Sequence, residues 1–333
     1  MNNNFVHLTS PFTEEDCRWM KVAINYARRN LGMTGKNPCV GCVIVNNNEL
    51  YGFGVTSSGG RPHAEENALN FVGKRSKNSV LYVTLEPCAH YENFLPCMEK
   101  IFQASIKRVV IACLDPDKRT NGKAVKFLLE RNIDVSLGCQ ETNAMELIEG
   151  FTKRLIFKRP FIKTKIASSL DSKISLSNGK SKWITGSNTR KQIHLYRLRS
   201  DGLLTGVNTI NEDNPSLNCR LKGLNKFSPY VFILDSKLKI KTSSKILNRK
   251  NVSIFTTKFS NNKQMKLLRE KGVDVIVVDH DAGKRVSIKA VLKKIYKQNI
   301  NNLFIESGSS INSSLIKEKL IDEIILCRSG AVF

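Results

Sequence analysis

Apolar positions in the first part of the chain switch between two periods, and the switches mark the elements. Met20, Ala23, Ile24, Ala27 and Leu31 recur at helical spacing behind Thr13, an N-cap candidate followed by the acidic turn Glu14, Glu15 and Asp16. Gly32 is expected to end this helix. The run Cys42 to Val45 predicts a buried strand, Asn46 to Glu49 a turn, and Leu50 to Val55 the returning strand. Pro62 opens a helix over His63 to Val72, Val80 to Thr84 reads as a strand, and Pro96 opens a third helix. A strand at Val109 to Cys113, a helix around Ala124 to Arg131 and a strand at Asp134 to Leu137 follow. This alternation predicts a layered α/β domain over residues 1–145.

A helical stretch, Glu141 to Phe157, leads into Pro160, and residues 146–160 are read as a connecting helix or linker. A second α/β series then occupies 161–333. Its strands are expected at Phe161 to Ile166, Gly202 to Thr205, Tyr230 to Leu234, Val252 to Thr256, Val273 to Val277, Asn302 to Ile305 and Glu323 to Leu326. Its helices are expected at Asn188 to Arg199, Lys263 to Lys271 and Ile288 to Lys297. No internal repeat or low-complexity linker interrupts the pattern.

A length of 333 residues suits two such domains, and 41% hydrophobic with 25% charged residues excludes a disordered chain. The outlier is charge: 53 basic against 29 acidic residues give +24. Nucleic acid, anionic phosphorylated metabolites and a solvated lysine-rich surface all suit that sign. Lysine recurs almost everywhere after residue 150 without one concentrated block, which favours the solvated surface. No apolar run approaches the roughly 18 residues of a membrane span. The start, MNNNFVHLTSPFTEED, lacks the basic and apolar regions of a signal peptide, so a cytoplasmic protein is expected, without a membrane partner. Nine cysteines scattered through apolar segments read mostly as buried hydrophobes rather than a disulfide framework.

Some of those cysteines carry chemistry. Pro62-His63-Ala64-Glu65, Glu86-Pro87-Cys88 and Pro96-Cys97 together offer one imidazole and two thiolates, a set for tetrahedral zinc with one position open to water. Zinc lowers the pKa of such a water, and Glu65, two residues after His63, is placed to take its proton and return it to a leaving amine. His-x-Glu followed by Pro-Cys-x-x-Cys is the pattern of zinc nucleobase deaminases, but here eight residues rather than two separate Cys88 and Cys97. A closed structural zinc site, with His90 as fourth ligand, is the other reading. Cys39-Val-Gly-Cys42 has the spacing of a redox or metal pair, yet it runs into an apolar strand and is read as core.

With that long gap, the chain resembles the RibD family of bifunctional riboflavin-biosynthesis deaminase-reductases. Asn37-Pro38-Cys39-Val40-Gly41 matches the family's NPxVG segment. The resemblance continues through Lys165-Ile-Ala-Ser-Ser-Leu-Asp171, Ser181-Lys-Trp183-Ile-Thr185, Asp201 to Gly206, Asp213-Asn-Pro215, Leu217 with Arg220, Leu234-Asp-Ser236 and Glu306-Ser-Gly308, all in the family's order. It implies a cytidine-deaminase-like three-layer domain followed by a dihydrofolate-reductase-like domain, one zinc ion per chain, NADPH, and assembly as a homo-oligomer. The first domain would hydrolyse the 2-amino group of 2,5-diamino-6-(5-phosphoribosylamino)pyrimidin-4(3H)-one. The second would reduce the ribosyl to the ribityl side chain, giving 5-amino-6-(5-phosphoribitylamino)uracil.

The same resemblance distributes the site residues. Asn37 and His90 would contact the pyrimidine substrate. Ala167, Trp183, Thr209, Asp213, Ser236 and the run Gly308, Ser309, Ser310, Ile311, Asn312, Ser313, Ser314 would contact NADPH. Ser181, Arg197, Leu217, Arg220 and Glu306 would contact the reductase substrate. Lys165 would stabilise an open-chain imine, with Asp213 or Glu306 orienting it. Read from the residues alone, no GxGxxG follows a strand here, which argues against a Rossmann site. The Gly308 to Ser314 run reads as a phosphate-binding loop before a helix, and Arg197 and Arg220 as fork-like donors to a phosphate.

Three departures from the family's pattern stand out. Ala89-His-Tyr-Glu-Asn-Phe-Leu-Pro96 places Asn93 and Phe94 where a basic residue and a threonine are usual. Ser172 and Ser307 stand where glycines are usual, which would strain serine if those positions need positive φ. The chain ends at Phe333, before expected closing strands. That end raises one alternative, a deaminase alone with a non-functional second domain, and the +24 charge raises another, a second domain that delivers the deaminase to RNA.

Overall fold

The computed structural model describes residues 12–91, 94–174 and 184–332. Helix α1 (Glu14–Arg29) starts where the sequence places it. The Thr13 hydroxyl accepts the Asp16 N–H at 3.0 Å, and the Asp16 carboxylate accepts the Thr13 N–H at 3.1 Å, a complete capping box. The helix stops at Asn30, short of Gly32, because the Asn30 N–H turns back to the Ala27 carbonyl.

Strands β1 (Gly41–Asn46) and β2 (Glu49–Val55) form a hairpin whose turn residues, Asn47 and Asn48, both take positive φ. Asparagine tolerates that conformation, which matches the right-handed strand twist. Strands β3 (Val80–Val83), β4 (Arg108–Ile111) and β5 (Asp134–Leu137) follow, in the sheet order β2-β1-β3-β4-β5. β1 meets β3 antiparallel, whereas β3, β4 and β5 run parallel. Helices α2 (Ala64–Val72), α3 (Cys97–Gln103), α4 (Lys123–Leu129) and α5 (Glu141–Phe157) complete the unit. Gly54 on β2 lets α2 approach: a Cβ there would lie 2.0 Å from the Ala64 carbonyl oxygen. Met20, Ile24, Ile44, Leu81, Ile111 and Leu128 fill the core.

The chain divides between Ile156 and Phe157, later than the expected boundary near 145. Ala144, Leu147, Ile148 and Phe151 of α5 face the first unit's core, so this helix is a packed element of that unit rather than a separate linker.

The second unit alternates more regularly. It contains β6 (Phe161–Ser168), α6 (Ser187–Leu198), β7 (Gly202–Gly206), α7 (Val207–Asp213), β8 (Tyr230–Leu234), β9 (Val252–Thr256) and α8 (Asn262–Glu270). It continues with β10 (Asp274–Val277), α9 (Ile288–Lys297), β11 (Asn302–Ile305), α10 (Ser309–Lys317) and β12 (Glu323–Arg328). The sheet order is β10-β9-β8-β7-β11-β6-β12, and every pairing is parallel. Such strands are covered on both faces. Phe232, Phe255, Leu303 and Ile305 pack one way with Val291 and Ile295 of α9. Leu203, Ile233, Ile254 and Phe304 pack the other way with Ile193 of α6 and Leu268 of α8.

Two elements differ from expectation. α7 was not foreseen in a polar stretch. The Gly308 to Ser314 run is not a loop ahead of a helix: Gly308 caps α10, and Ser309 to Ser314 form its first turns. Ile311 and Leu315 anchor that serine-rich helix on the core, overriding its weak propensity. Ser172 does take positive φ, at 65°, as its replacement of glycine suggested, whereas Ser307 is not in that region.

Candidate active site

The Cys88 to Cys97 chemistry is assembled by two helix starts and one loop. His63 is the N-cap of α2, Cys97 is the first residue of α3, and Cys88 lies in the segment after β3. Their ligand atoms lie within 4.8 Å of one another, with Cys97 Sγ 3.4 Å from His63 Nδ1. Tetrahedral zinc, about 2.3 Å from sulfur and about 2.0 Å from nitrogen, sets ligand atoms roughly 3.5 Å apart, so this donor set fits. The first N–H of α3, from Cys97, points at Cys88 Sγ at 3.3 Å. Contact with Cys97 is the chief cause that pulls the Cys88 thiol down to about 4, against its burial and with help from His63. The same sharing pushes Cys97 up. Two sulfurs this close favour a single negative charge unless a cation lies between them.

Glu65 sits in the first turn of α2, 3% exposed, within hydrogen-bond reach of Cys97. Burial pushes its carboxyl up to about 7 even though His63 pulls it down. His90 does not join the ligand cluster. Its Nδ1 meets Thr120 Oγ1 at 3.3 Å, which disfavours the closed structural site. Among the described residues no fourth His, Cys, Asp or Glu belongs to the cluster.

Neighbouring segments are held in place by specific bonds. Asn37 Nδ2 donates to the Gly60 carbonyl at 2.9 Å, tying the expected pyrimidine-contact segment to the turn that precedes His63. Cys39 and Cys42 are buried, with Cys39 Sγ donating to the Ala27 carbonyl, as a core reading requires. Glu86 had no role in the sequence beyond its motif. Its buried carboxylate accepts N–H groups from Asp115 (3.2 Å), Gly122 (3.0 Å), Ala124 (3.1 Å) and Val125 (3.4 Å). It thereby caps α4 from another segment and fixes the loop whose Thr120 meets His90. Glu86 next to Pro-Cys was the available signal, but its partners lie 29 to 39 residues away.

In the second unit the expected residues gather at the carboxyl ends of the parallel strands, where such sheets place ligand sites. Thr164 of β6 pairs with Ile305 of β11, so Lys165 and Glu306 come level on neighbouring strands. The Cys327 thiol of β12 feels the charges of both Lys165 and Glu306, after the larger effect of burial, which pushes it up. Ala167 pairs with Cys327. Arg197 and Glu306, both expected at the substrate, are each other's partners: Nε and Nη2 of Arg197 meet the two carboxylate oxygens at 2.6 and 2.9 Å. Arg197 Nη1 also donates to the Asn218 carbonyl at 3.1 Å. Arg220 donates its backbone N–H to His194 Nδ1, and its side chain is exposed. Leu217 is buried in a left-handed turn.

The expected cofactor residues line the same edge. Thr209 and Asp213 lie on α7 after β7, and Ser236 follows β8, its hydroxyl accepting the Val286 N–H at 3.0 Å. Asn312 accepts the Thr164 hydroxyl at 2.8 Å, locking α10 to β6. α10 presents its N-terminus, Gly308 to Ser310, just after β11. Backbone N–H groups there suit a dinucleotide phosphate. Ser181 and Trp183 lie outside the described residues.

Fold and sites together define a two-unit α/β enzyme, a zinc-dependent deaminase followed by a dihydrofolate-reductase-like reductase that uses NADPH. Residues 13–113 match the cytidine and deoxycytidylate deaminase zinc-binding region, and residues 160–332 match the RibD C-terminal domain. Riboflavin biosynthesis protein RibD of Aquifex aeolicus is 39% identical over 314 residues, 94% of this chain and 86% of that protein. The structure of Acinetobacter baumannii RibD superposes with a TM-score of 0.86 at 35% identity, covering 96% of this chain and 88% of that one. A Thermotoga maritima structure, described as a diaminohydroxyphosphoribosylaminopyrimidine deaminase/5-amino-6-(5-phosphoribosylamino)uracil reductase, gives 0.84 at 30% identity with the same coverage. The chain belongs to the RibD family, the bifunctional deaminase-reductases of riboflavin biosynthesis. The reading with both activities therefore holds over a deaminase alone, and the second unit is a reductase. No helix among the described residues is long and apolar enough to cross a membrane.

Proposed function

We propose that the first unit hydrolyses 2,5-diamino-6-(5-phosphoribosylamino)pyrimidin-4(3H)-one at its 2-amino group, and that the second reduces the product's ribosyl to a ribityl side chain. The observation that carries the first step is the His63, Cys88 and Cys97 cluster with buried Glu65 beside it. These three residues would hold zinc, which supplies Lewis-acid activation of water. Glu65 takes the proton of the attacking water and delivers it to the departing amine, so water enters and ammonia leaves. A carboxyl pushed up to about 7 is suited to both transfers near neutral pH. Asn37 and His90 hold the pyrimidine.

For the second step, NADPH supplies the reducing equivalent. Ala167, Trp183, Thr209, Asp213, Ser236 and Gly308 to Ser314 orient it. Ser181, Arg197, Leu217, Arg220 and Glu306 hold the phosphosugar. Lys165 stabilises the open-chain imine, supported by its place level with Glu306. The two compact units, 1–156 and 157–333, serve as the two catalytic domains, with α5 packed on the first where the sequence suggests a connection over 146–160.

We further propose a cytoplasmic homo-oligomer that engages no nucleic acid. Nine unpaired cysteines support a reducing compartment, and exposed Ile324 and Leu326 on edge strand β12 support association. Sedimentation of the purified protein tests the assembly. A coupled assay of zinc-loaded protein with the diaminopyrimidine substrate and NADPH tests the chemistry. Ammonia and oxidised cofactor appearing in equal amounts is the expected result. Ammonia without cofactor oxidation would remove the second step, and neither would remove the substrate assignment.

A further inference from the structure

We infer that Arg61 is the cation that receives the phosphate of the deaminase substrate. The inference rests on the site assignment above. Arg61 sits in a fixed turn: the Gly60 N–H donates to the Ser57 carbonyl at 2.8 Å, the Pro62 carbonyl accepts the Ser57 N–H at 3.0 Å, and Asn37 holds the Gly60 carbonyl. The turn ends at the metal ligand His63, two residues on and the N-cap of α2.

The guanidinium carbon lies 4.7 Å from the centroid of the Phe94 ring, in the segment between Cys88 and Cys97. Phe94 is 55% exposed, so the stacked pair stands at the rim of the site rather than in the core. Stacking uses the face of the guanidinium and leaves its in-plane N–H groups available.

Arg61 makes no ion pair and no hydrogen bond among the described residues. Other cations of this unit are committed elsewhere: Lys100 to Glu66 at 2.6 Å and Arg119 to Asp117 at 2.7 Å. The segment Ala89 to Pro96 carries no lysine or arginine of its own. A half-buried arginine lying over an aromatic ring is a ready bidentate donor to a dianionic phosphate monoester. With the pyrimidine held at the metal ligands, the 5-phosphate of the substrate's ribosyl group would lie towards the rim, within reach of Arg61.

The test compares ammonia release from the phosphorylated substrate and from its dephosphorylated ribosylamino counterpart, using the full zinc-loaded enzyme. R61A should raise KM for the phosphorylated compound by roughly tenfold or more, the scale of a charged hydrogen bond, with kcat little changed. The same variant should leave turnover of the dephosphorylated compound as in the wild type. R61K, which keeps charge without the fork, should fall between. Zinc content and the first unit's Tm report whether R61A is folded. If R61A loses zinc, the near-isosteric R61Q carries the same comparison. Unchanged KM in these variants, or an equal loss for both compounds, overturns the inference. A wild-type enzyme that releases ammonia from neither compound would instead overturn the site assignment.

Discussion

The two units solve the same problem, holding a reactive group at the edge of a sheet, with different materials. The first concentrates three metal-ligand atoms within 4.8 Å at two helix starts and a loop, with a buried acid beside them. The second spreads its residues over the carboxyl ends of β6, β7, β8 and β11, and several meet one another before any ligand arrives. A metal site needs few donors of restricted chemistry, so each is indispensable. A dinucleotide and phosphosugar site draws on backbone, hydroxyls and ion pairs, so its dependence on any one residue is graded.

The largest expected effect breaks the first site alone. Cys97→Ser, or a chelator strong enough to strip zinc, should bring ammonia release below detection. Reduction of 5-amino-6-(5-phosphoribosylamino)uracil by the same sample should continue at the wild-type rate. Loss of both activities together would mean the units are not chemically separate. Next comes Glu65→Gln, which keeps shape and zinc but cannot carry the proton. Its kcat for deamination should fall about 10²–10⁴-fold at normal zinc content. A fall of less than threefold would give the proton to another group.

The reductase side should respond more gradually. Arg197 and Glu306 are mostly buried, and removing one leaves the other charged without its partner. Arg197→Met should destabilise the second unit by about 3 kcal/mol and raise KM for the phosphosugar. The double variant with Glu306→Gln should recover part of the stability but not the activity, and a double-mutant cycle reads the difference. If Arg197→Met leaves stability unchanged, the pair is incidental and the contrast between the units narrows.

The same contrast explains what could be read from the chain. His63, Glu65, Cys88 and Cys97 stand out in sequence because few side chains bind zinc and their proline neighbours fix helix starts. The strands were legible from short β-branched runs, and α9 from its apolar stripe, Ile288, Val291, Leu292 and Ile295. The Arg197–Glu306 pair spans 109 positions, and nothing local in either residue announces the other. Glu86 was hidden for the same reason: it serves a loop that returns only through the fold. α10 was misread because serine and glycine punctuate loops, whereas Ile311 and Leu315 supply enough packing to fold them as helix. The helix over 141–157 was legible, but its allegiance was not, since Leu147, Ile148 and Phe151 declare a core only once β-sheet and helix meet.

The smallest expected effect lies far from either chemistry and tests whether the first unit's frame is as tightly specified as its metal site. Burial pushes the Asp16 carboxyl up, but Arg108, the Thr13 N–H and the Tyr82 hydroxyl together outweigh it and hold the group below its ordinary value. Arg108 reaches both oxygens, at 2.9 and 3.1 Å, and Tyr82 donates at 3.0 Å. A carboxylate with a lowered folded pKa binds protons less readily when folded than when unfolded. Its stabilisation is therefore complete above the unfolded value of about 3.9 and is lost as pH falls through the folded value. Thermal melts between pH 6 and pH 3 should show the first unit's Tm falling at the acid end, with less dependence in Asp16→Asn. That variant should already melt lower at pH 6, because it breaks both the capping box and the Arg108 pair. Equal acid dependence in both proteins would show that other carboxylates set the limit, and that the frame around α1 tolerates the loss that the metal site does not.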